Sequence, residues 1–332
     1  MRAAAGGAEA TPTLAPGVQT EALTFATAEE TSMESFLSVT AGSPNQERLL
    51  EYVDDLISRG CTRPAWCVVG ASGGAAITRA AFWSLPDQPL PTDLVLIDTD
   101  WGEDDLRSAR ALLDHMHERA RAVGAARLTH HVDEPVGPPQ YQDHAADRID
   151  LLERSGYELL RDGLRWLYSA SASQPAHDDD LVFRPLPEVG EDAFFAAFAA
   201  TYEGTRDAWL RRQIEEHGLH TAARSGFEEY KEFDHLPEWW ELAYTADDAL
   251  AGVIMPARNP NSAVIGHVGV MPEQRGRGFA AQLVLRGTEV LIASGADEVR
   301  ADCDSDNVAM VKAFERAGYA QIARRRTFQV DV

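Results

Sequence analysis

The 332-residue sequence predicts an α/β protein made of two copies of one strand–helix unit. Three observations point there. Apolar strand-like runs alternate with amphipathic helical runs through both halves of the chain. Two phrases recur: Glu153-Arg-Ser-Gly-Tyr157 returns as Glu315-Arg-Ala-Gly-Tyr319, an offset of 319 − 157 = 162, and Gly124-Ala-Ala-Arg-Leu128 returns as Gly295-Ala-Asp-Glu-Val299, an offset of 295 − 124 = 171. The difference of nine is absorbed by an insertion around Val136 to Tyr141 in the first copy. Third, the strand Ala263 to Val270 runs into a glycine loop and then an apolar helical stretch.

In order, residues 1 to 20 are rich in Ala, Gly, Thr and Pro without periodicity and are expected to be a disordered tail. Met33 to Leu37 and Asn45 to Arg59 read as helices, the second with Leu49, Leu50, Val53 and Leu56 at amphipathic spacing. Trp66 to Val69 and Ala75 to Phe82 read as strands about the turn Gly70-Ala-Ser-Gly-Gly74, and Leu94 to Ile97 as a third. A helix from Leu106 to Val123, a strand from Arg127 to Val132, a helix from Ala145 to Ser155 and a strand from Gly163 to Tyr168 complete the first unit, 21–170. The polar stretch 171–180, with Pro175 and three consecutive Asp, is a linker. The second unit, 181–332, repeats the order with helices over Phe194 to Tyr202 and Asp207 to His217, strands over Trp239 to Tyr244 and Leu250 to Pro256, and then the loop region.

Bulk properties narrow the function. A net charge of −23 disfavours nucleic acid, which needs a basic surface. It suits either plain solubility or steering of a cationic substrate. No apolar run approaches the roughly 20 residues of a membrane span. Cys61, Cys67 and Cys303 form neither a disulfide framework nor a metal spacing, so no metal is expected and a reducing cytoplasm is the simplest home.

Several motifs have plain explanations. Val69-Gly-Ala-Ser-Gly-Gly74 resembles a dinucleotide loop but aligns with a hairpin tip of the second copy. Asp98-Thr-Asp100 aligns with Gly269-Val-Met271 and reads as a loop of solvated acids rather than a magnesium site. His130, His131 and Asp133 fit no zinc spacing and read as a half-exposed strand. Arg324-Arg-Arg326 reads as a solvated strand end, with a cofactor phosphate as the alternative.

The loop carries the chemistry. After the strand come Met-Pro-Glu-Gln-Arg275-Gly-Arg-Gly278-Phe-Ala280 and the helical run to Ile292. The first N–H groups of a helix lack internal partners and the helix dipole is positive there, so such a terminus takes an anion. Gly276 and Gly278 let a phosphate approach the backbone, and Arg275 and Arg277 add positive charge. Asp304-Ser-Asp-Asn307, the run Ala309 to Phe314 and Gly318-Tyr319 follow. Strand, Arg-x-x-Gly-x-Ala loop, helix, strand, Asn, helix and Gly-Tyr in this order resemble the GNAT superfamily of acetyl-CoA-dependent N-acetyltransferases, closely over the last third of the chain. The resemblance implies two tandem GNAT folds, each a mixed, mostly antiparallel sheet flanked by helices. It implies acetyl-CoA as cofactor, held by the amides of Arg275, Gly276, Arg277, Gly278, Phe279 and Ala280, with Val268, Gly269 and Val270 along the pantetheine arm and Asn307 beside it.

At an offset of 171 the first copy places Asp104, Asp105, Arg107 and Ala109 where the second has Arg275, Gly276, Gly278 and Ala280. It lacks both glycines and puts three acids, Glu103 to Asp105, where the pyrophosphate would lie, at a Coulomb cost of about one to several kcal/mol. The first unit is therefore read as a degenerate copy that binds no cofactor.

By resemblance, acetyl transfer is direct, with a backbone N–H near Val268 to Val270 for the oxyanion. Relatives carry a Tyr in the last helix that protonates the thiolate; here Phe314 stands four before Gly318, leaving water or Tyr319. The Glu of many relatives is also missing from Ala263-Val264-Ile265, and the nearest candidates for base or relay are His267, alternatively a satisfied core residue, and Asp302, alternatively a solvated strand residue. Cys303 reads as a small core residue, since nothing pairs it with a base. The acceptor region mixes aromatics and acids, among them Tyr202, Trp240 and Glu241, which suits an organic cation or, equally, a helix with an aromatic core face. The expected function is acetylation of a primary amine on a small molecule, a cationic antibiotic or amino-acid-like metabolite, by a monomer or homodimer. The alternatives are a non-catalytic acyl-CoA-binding or regulatory module and a mycothiol-synthase-like acetyltransferase.

Overall fold

The computed structural model describes residues 22–40, 43–86, 88–102, 106–171, 180–259 and 262–332. The expected tail, most of the linker and the acids Glu103 to Asp105 lie outside the described residues. The first half runs β1 (Thr24–Thr27), α1 (Met33–Ser38), α2 (Gln46–Ser58), β2 (Cys67–Ser72), β3 (Ala75–Trp83), β4 (Asp93–Thr99), α3 (Arg107–Val123), β5 (Arg127–Glu134), α4 (Ala145–Arg154) and β6 (Glu158–Ser169). The second runs β7 (Leu181–Pro185), α5 (Leu186–Val189), α6 (Glu191–Thr201), α7 (Ala208–His217), α8 (Leu219–Lys231), β8 (Glu241–Thr245), β9 (Leu250–Asn259), β10 (Ser262–Val270), α9 (Phe279–Ala293), β11 (Glu298–Asp304), α10 (Val308–Arg316) and β12 (Ala320–Asp331).

The repeat is geometric as well as textual. Gly156 and Gly318 both take left-handed φ, 85° and 80°, and each is followed by a buried tyrosine. The Tyr157 hydroxyl lies 3.1 Å from His117 Nε2 on α3, and the Tyr319 hydroxyl 2.6 Å from Thr288 Oγ1 on α9. Since 288 − 117 = 171, the same helix position meets the same tyrosine with a different side chain. The helix starts refine the alignment by one residue: the left-handed N-cap of α9 is Gly278, and that of α3 is Leu106.

All twelve strands form one sheet in the order β1-β2-β3-β4-β5-β12-β6-β11-β10-β9-β8-β7. Pairing is antiparallel except for β4 with β5 and β10 with β11. The last strand of each half sits in the other half. β12 pairs with β5 from Arg324↔Glu134 to Asp331↔Arg127, and β6 pairs with β11 from Glu298↔Ser169 to Asp304↔Gly163. The two exchanged strands pair with each other at the centre.

The cores follow the exchange. Phe328 of β12 packs with Leu112, Leu113 and Leu128 of the first half, whereas Trp166 and Tyr168 of β6 pack with Leu283, Leu291 and Phe314 of the second. Burying one such aromatic contributes about 1.5–3 kcal/mol, so each half draws stability from the other's strand. The arginine triplet of β12 is neutralised across the same pairing. Arg324 binds both carboxylate oxygens of Asp162, Arg325 binds those of Asp133 at 2.8 and 2.6 Å, and Arg326 pairs with Glu134. The triplet is thus an ion-paired strand end, with Arg324 still exposed to solvent.

Candidate active site

β10 and β11 part company early. Their parallel register covers Ala263↔Val299 and Val264↔Arg300, and a bulge between Ile265 and His267 then bends β10 along β9. The Met271 N–H donates to Ala251 O at 2.9 Å. Because antiparallel pairing alternates, Gly269 also faces β9, while Val268 and Val270 turn their N–H and C=O groups into the gap. Gly269 is required for another reason: a Cβ there would come within 2.5 Å of Thr201 on α6, so the helix presses directly on the strand.

The gap leads to the glycine loop. Gly276 and Gly278 take φ of 82° and 89°, conformations that any side chain would strain, and no heavy atom lies within 4 Å of a Cβ position at Gly276. The loop ends at the N-terminus of the 15-residue α9, whose first N–H groups face outward without helical partners. Arg277 lies 4.9 Å over the Phe279 ring. Arg275 has a different task from the one expected. Its guanidinium donates to the carbonyls of Val270, Gly204 and Thr201 at 3.3, 3.3 and 3.1 Å, strapping the end of α6 to the end of β10. The cation that sequence reasoning missed is Arg316 of α10, whose Nη1 lies 3.9 Å from the Cβ position of Gly278. Asn307 caps α10, its side-chain oxygen accepting from Met310 N at 3.4 Å.

His267 stands on the bulged part of β10, its ring 4.6 Å from that of Phe198 and 5.9 Å from those of Tyr202 and Tyr230. Burial holds its pKa down at about 4, so it is neutral at physiological pH. Thr201 Oγ1 donates to Phe198 O at 2.7 Å, so the 3.0 Å contact with His267 makes Nε2 the protonated ring nitrogen and leaves Nδ1 bare. Asp302 is not beside it. That carboxylate projects from β11 and pairs with Arg165 of β6 at 3.6 Å. Cys303 accepts from Trp166 Nε1 at 3.3 Å, and burial pushes its thiol up to about 11, which fits the core role. Phe314 stacks 5.7 Å from Trp166, and the Tyr319 hydroxyl is held on Thr288 inside the core, so neither donates to a leaving thiolate.

The three acceptor candidates are all buried: Tyr202 and Trp240 are 1% exposed and Glu241 4%. Tyr202 and Trp240 belong to an aromatic core with Phe194, Phe198 and Phe227. Glu241 faces the other side of the sheet, where Arg286 of α9 binds both its oxygens at 2.7 and 2.6 Å. Strand alternation explains this. Leu242 packs with the α6–α8 layer and Ala243 with the α9 layer, which puts Glu241 on the α9 face.

The first half fills the corresponding gap with its own side chains. Gln140 Oε1 accepts from Leu96 N at 3.0 Å, and Arg148 donates to Ile97 O, Asp143 O and Asp98. Asp98, expected to be solvated, is 8% exposed and also paired with Arg79 at 2.8 Å. Burial alone would raise its pKa, but the two guanidiniums hold it below the ordinary value.

A sheet that opens between two strands beside a glycine-rich helix N-terminus offers a place for an elongated ligand that carries an anionic group. The family model for the acetyltransferase (GNAT) family matches residues 199–319. Over those residues the chain carries a GNAT acetyltransferase domain. A mycothiol acetyltransferase of Clavibacter sepedonicus is 26% identical over 269 residues, covering 77% of this chain and 81% of that protein. An acetyltransferase of Yersinia enterocolitica is 30% identical over 89 residues, 27% of this chain and 62% of its own length. In structure, a GCN5-related N-acetyltransferase from Sphaerobacter thermophilus matches with a TM-score of 0.55 and 16% identity over 93% of this chain and 95% of that one. A glucosamine N-acetyltransferase region of a fungal multi-domain β-N-acetylglucosaminidase matches with 0.53 and 12% over 97% of this chain and 40% of that one. Both structures speak to the fold. No helix among the described residues is long and apolar enough to cross a membrane.

Proposed function

We propose that the second half transfers the acetyl group of acetyl-CoA directly to a primary amine of a small molecule. The observation that carries this reading is the β10–β11 gap, opening beside Gly276, Gly278 and the α9 N-terminus. In it, amides from Gly276 to Ala280 hold the pyrophosphate, with Arg316 and Arg277 supplying charge, and Arg275 holds the loop in place. Val268 to Val270 would hold the thioester, with one of their N–H groups supplying a donor to its acyl oxygen. The amine nitrogen attacks the carbonyl carbon, the C–S bond breaks, and the amine's proton ends on the sulfur through water. Of the two relay candidates, His267 stands by the gap with a bare Nδ1, whereas Asp302 is held by Arg165. Asn307 acts on the cofactor through the position of α10. Tyr202 and Trp240 shape the acceptor side from beneath it.

The acceptor is read as cationic on the strength of the net charge of −23. The three cysteines are free and buried, which suits a reducing cytoplasm. A thiol-release assay with acetyl-CoA over aminoglycosides, peptides and amino acids tests the reading. Cationic amines should turn over best, with a Michaelis constant that rises with salt. Acetyl-CoA binding without turnover of any amine would leave a binding module instead. A second reading, favoured by the similarity to the Clavibacter protein over most of both chains, is a mycothiol-related acceptor, to be included in the same panel.

A further inference from the structure

We infer that the mouth of the first half is a binding site for a small guanidinium compound, at the place where the second half keeps the guanidinium of Arg275. A cleft of about 550 Å³ opens there, and Val39, Ile77, Thr99, Asp100, Trp101 and His144 line it. Three of these residues have counterparts near Arg275. Thr99 ends β4 as Val270 ends β10, and it pairs with Thr78 of β3 as Val270 pairs with Gly252 of β9. Val39 is the C-cap of α1 as Tyr202 is of α6. His144 is the N-cap of α4 as Asn307 is of α10.

The second half fills this place from within. Arg275 donates to the carbonyls of Val270, Gly204 and Thr201, and so joins the end of β10 to the end of α6. At the offset of 171 the sequence of the first half has Asp104 instead, so that position supplies no guanidinium. The last carbonyls of a helix lack helical partners and carry the negative end of its dipole. The end of α1 therefore favours a cation, as the end of α6 does.

Two polar side chains of the cleft are left unpaired. Asp100 is exposed, its Oδ1 accepts from the Gly102 N–H at 2.9 Å, and among the described residues no cation pairs with it. Thr99 is 7% exposed, yet its Oγ1 has no hydrogen-bond partner, whereas the hydroxyl of Thr78 donates to Asp98 O at 3.1 Å. A buried hydroxyl without a partner is costly, and a ligand N–H removes that cost. The cleft has a fixed aromatic wall. Trp101 and His144 stack with ring centres 5.6 Å apart, and the Arg148 guanidinium lies 4.5 Å over the Trp101 ring. Arg148 donates to Asp143 O, Ile97 O and Asp98, so its own charge is already answered. A guanidinium is planar and carries five N–H donors in a rigid fork, so it can reach a carboxylate and a second acceptor together.

The test uses the whole chain with methylguanidinium, agmatine and tetramethylammonium as probes, followed by calorimetry and tryptophan fluorescence. Methylguanidinium and agmatine should bind with a fluorescence change that Trp101→Phe abolishes. Asp100→Asn, at an exposed position, should weaken their binding tenfold or more. Thr99→Val, which keeps the volume and removes the hydroxyl, should weaken it several-fold. Both variants should keep their acetyl-CoA affinity within twofold of the wild type. Tetramethylammonium, a cation without N–H donors, should not bind. No saturable binding of either guanidinium probe overturns the inference, and so does binding that Asp100→Asn leaves unchanged. Equal binding of tetramethylammonium overturns it too, since that is attraction to an acidic chain without a site. Should Thr99→Val melt early, Asp100→Asn decides alone.

Discussion

At the scale of single residues, two positions have sharp consequences. Gly278 needs φ of 89°, where a Cβ costs about 1–2 kcal/mol, and in the proposed cofactor placement an added carboxylate would face the phosphates. Gly278→Asp should lose acetyl-CoA binding more than a hundredfold in calorimetry while its circular dichroism stays that of the wild type. Unchanged affinity would move the cofactor elsewhere. His267 has a folded pKa of about 4, below its ordinary 6.5. The unfolded chain therefore takes up this proton first as pH falls. The stability His267 contributes is full above about pH 6.5 and is lost as pH drops toward 4. Urea unfolding at pH 7.5 and pH 5 should show a smaller difference in His267→Gln than in the wild type, and an equal difference would contradict the buried neutral ring. The glycine loop was legible in the sequence because its conformation is local: Gly276 and Gly278 stand where positive φ is needed. Glu241, Tyr202 and Trp240 were not, because the side of the sheet a strand residue faces depends on register and on what α6, α8 and α9 bring to each face.

At the scale of elements, the exchange of β6 and β12 governs what can fold. Residues 21–170 alone would leave β5 without β12 and their core without Phe328, and residues 181–332 alone would leave β11 without β6 and theirs without Trp166. Each half expressed by itself should be insoluble or strongly destabilised, and co-expression should recover a soluble pair. Two independently soluble halves with native melting curves would show that the exchange is dispensable. Most of the helices and strands were readable from period and punctuation, as with α2, α3 and α9, whose apolar faces repeat at helical spacing. Which strand β12 would choose was not, because its alternation satisfies either sheet and the choice between β5 and β11 is made by contacts far apart in the chain.

At the scale of the whole molecule, two similar halves divide the work unequally. In the first, Gln140 and Arg148 occupy the gap that the second leaves open, and Leu106 stands where the second has Gly278 at the helix start. Titration of the full chain with acetyl-CoA should give a stoichiometry near one. A value near two, with one event surviving Gly278→Asp, would make the first half a working cofactor domain. The net charge of −23 acts at this scale too: the proposed preference for cationic acceptors should fade as salt shortens the Debye length.

The crossing of the two final strands also changes what the peptide between the halves is for. With β6 buried beside β11 and β12 beside β5, the connection through residues 172–179 is not what holds the molecule together. The halves are clasped like two hooked hands, each gripping through the other's sheet. A chain severed by a protease site engineered into that segment should stay one particle in size-exclusion chromatography, dissociate only in denaturant, and keep its acetyl-CoA affinity. In such a clasp, loosening either half loosens both, so damage to the first half reaches the second.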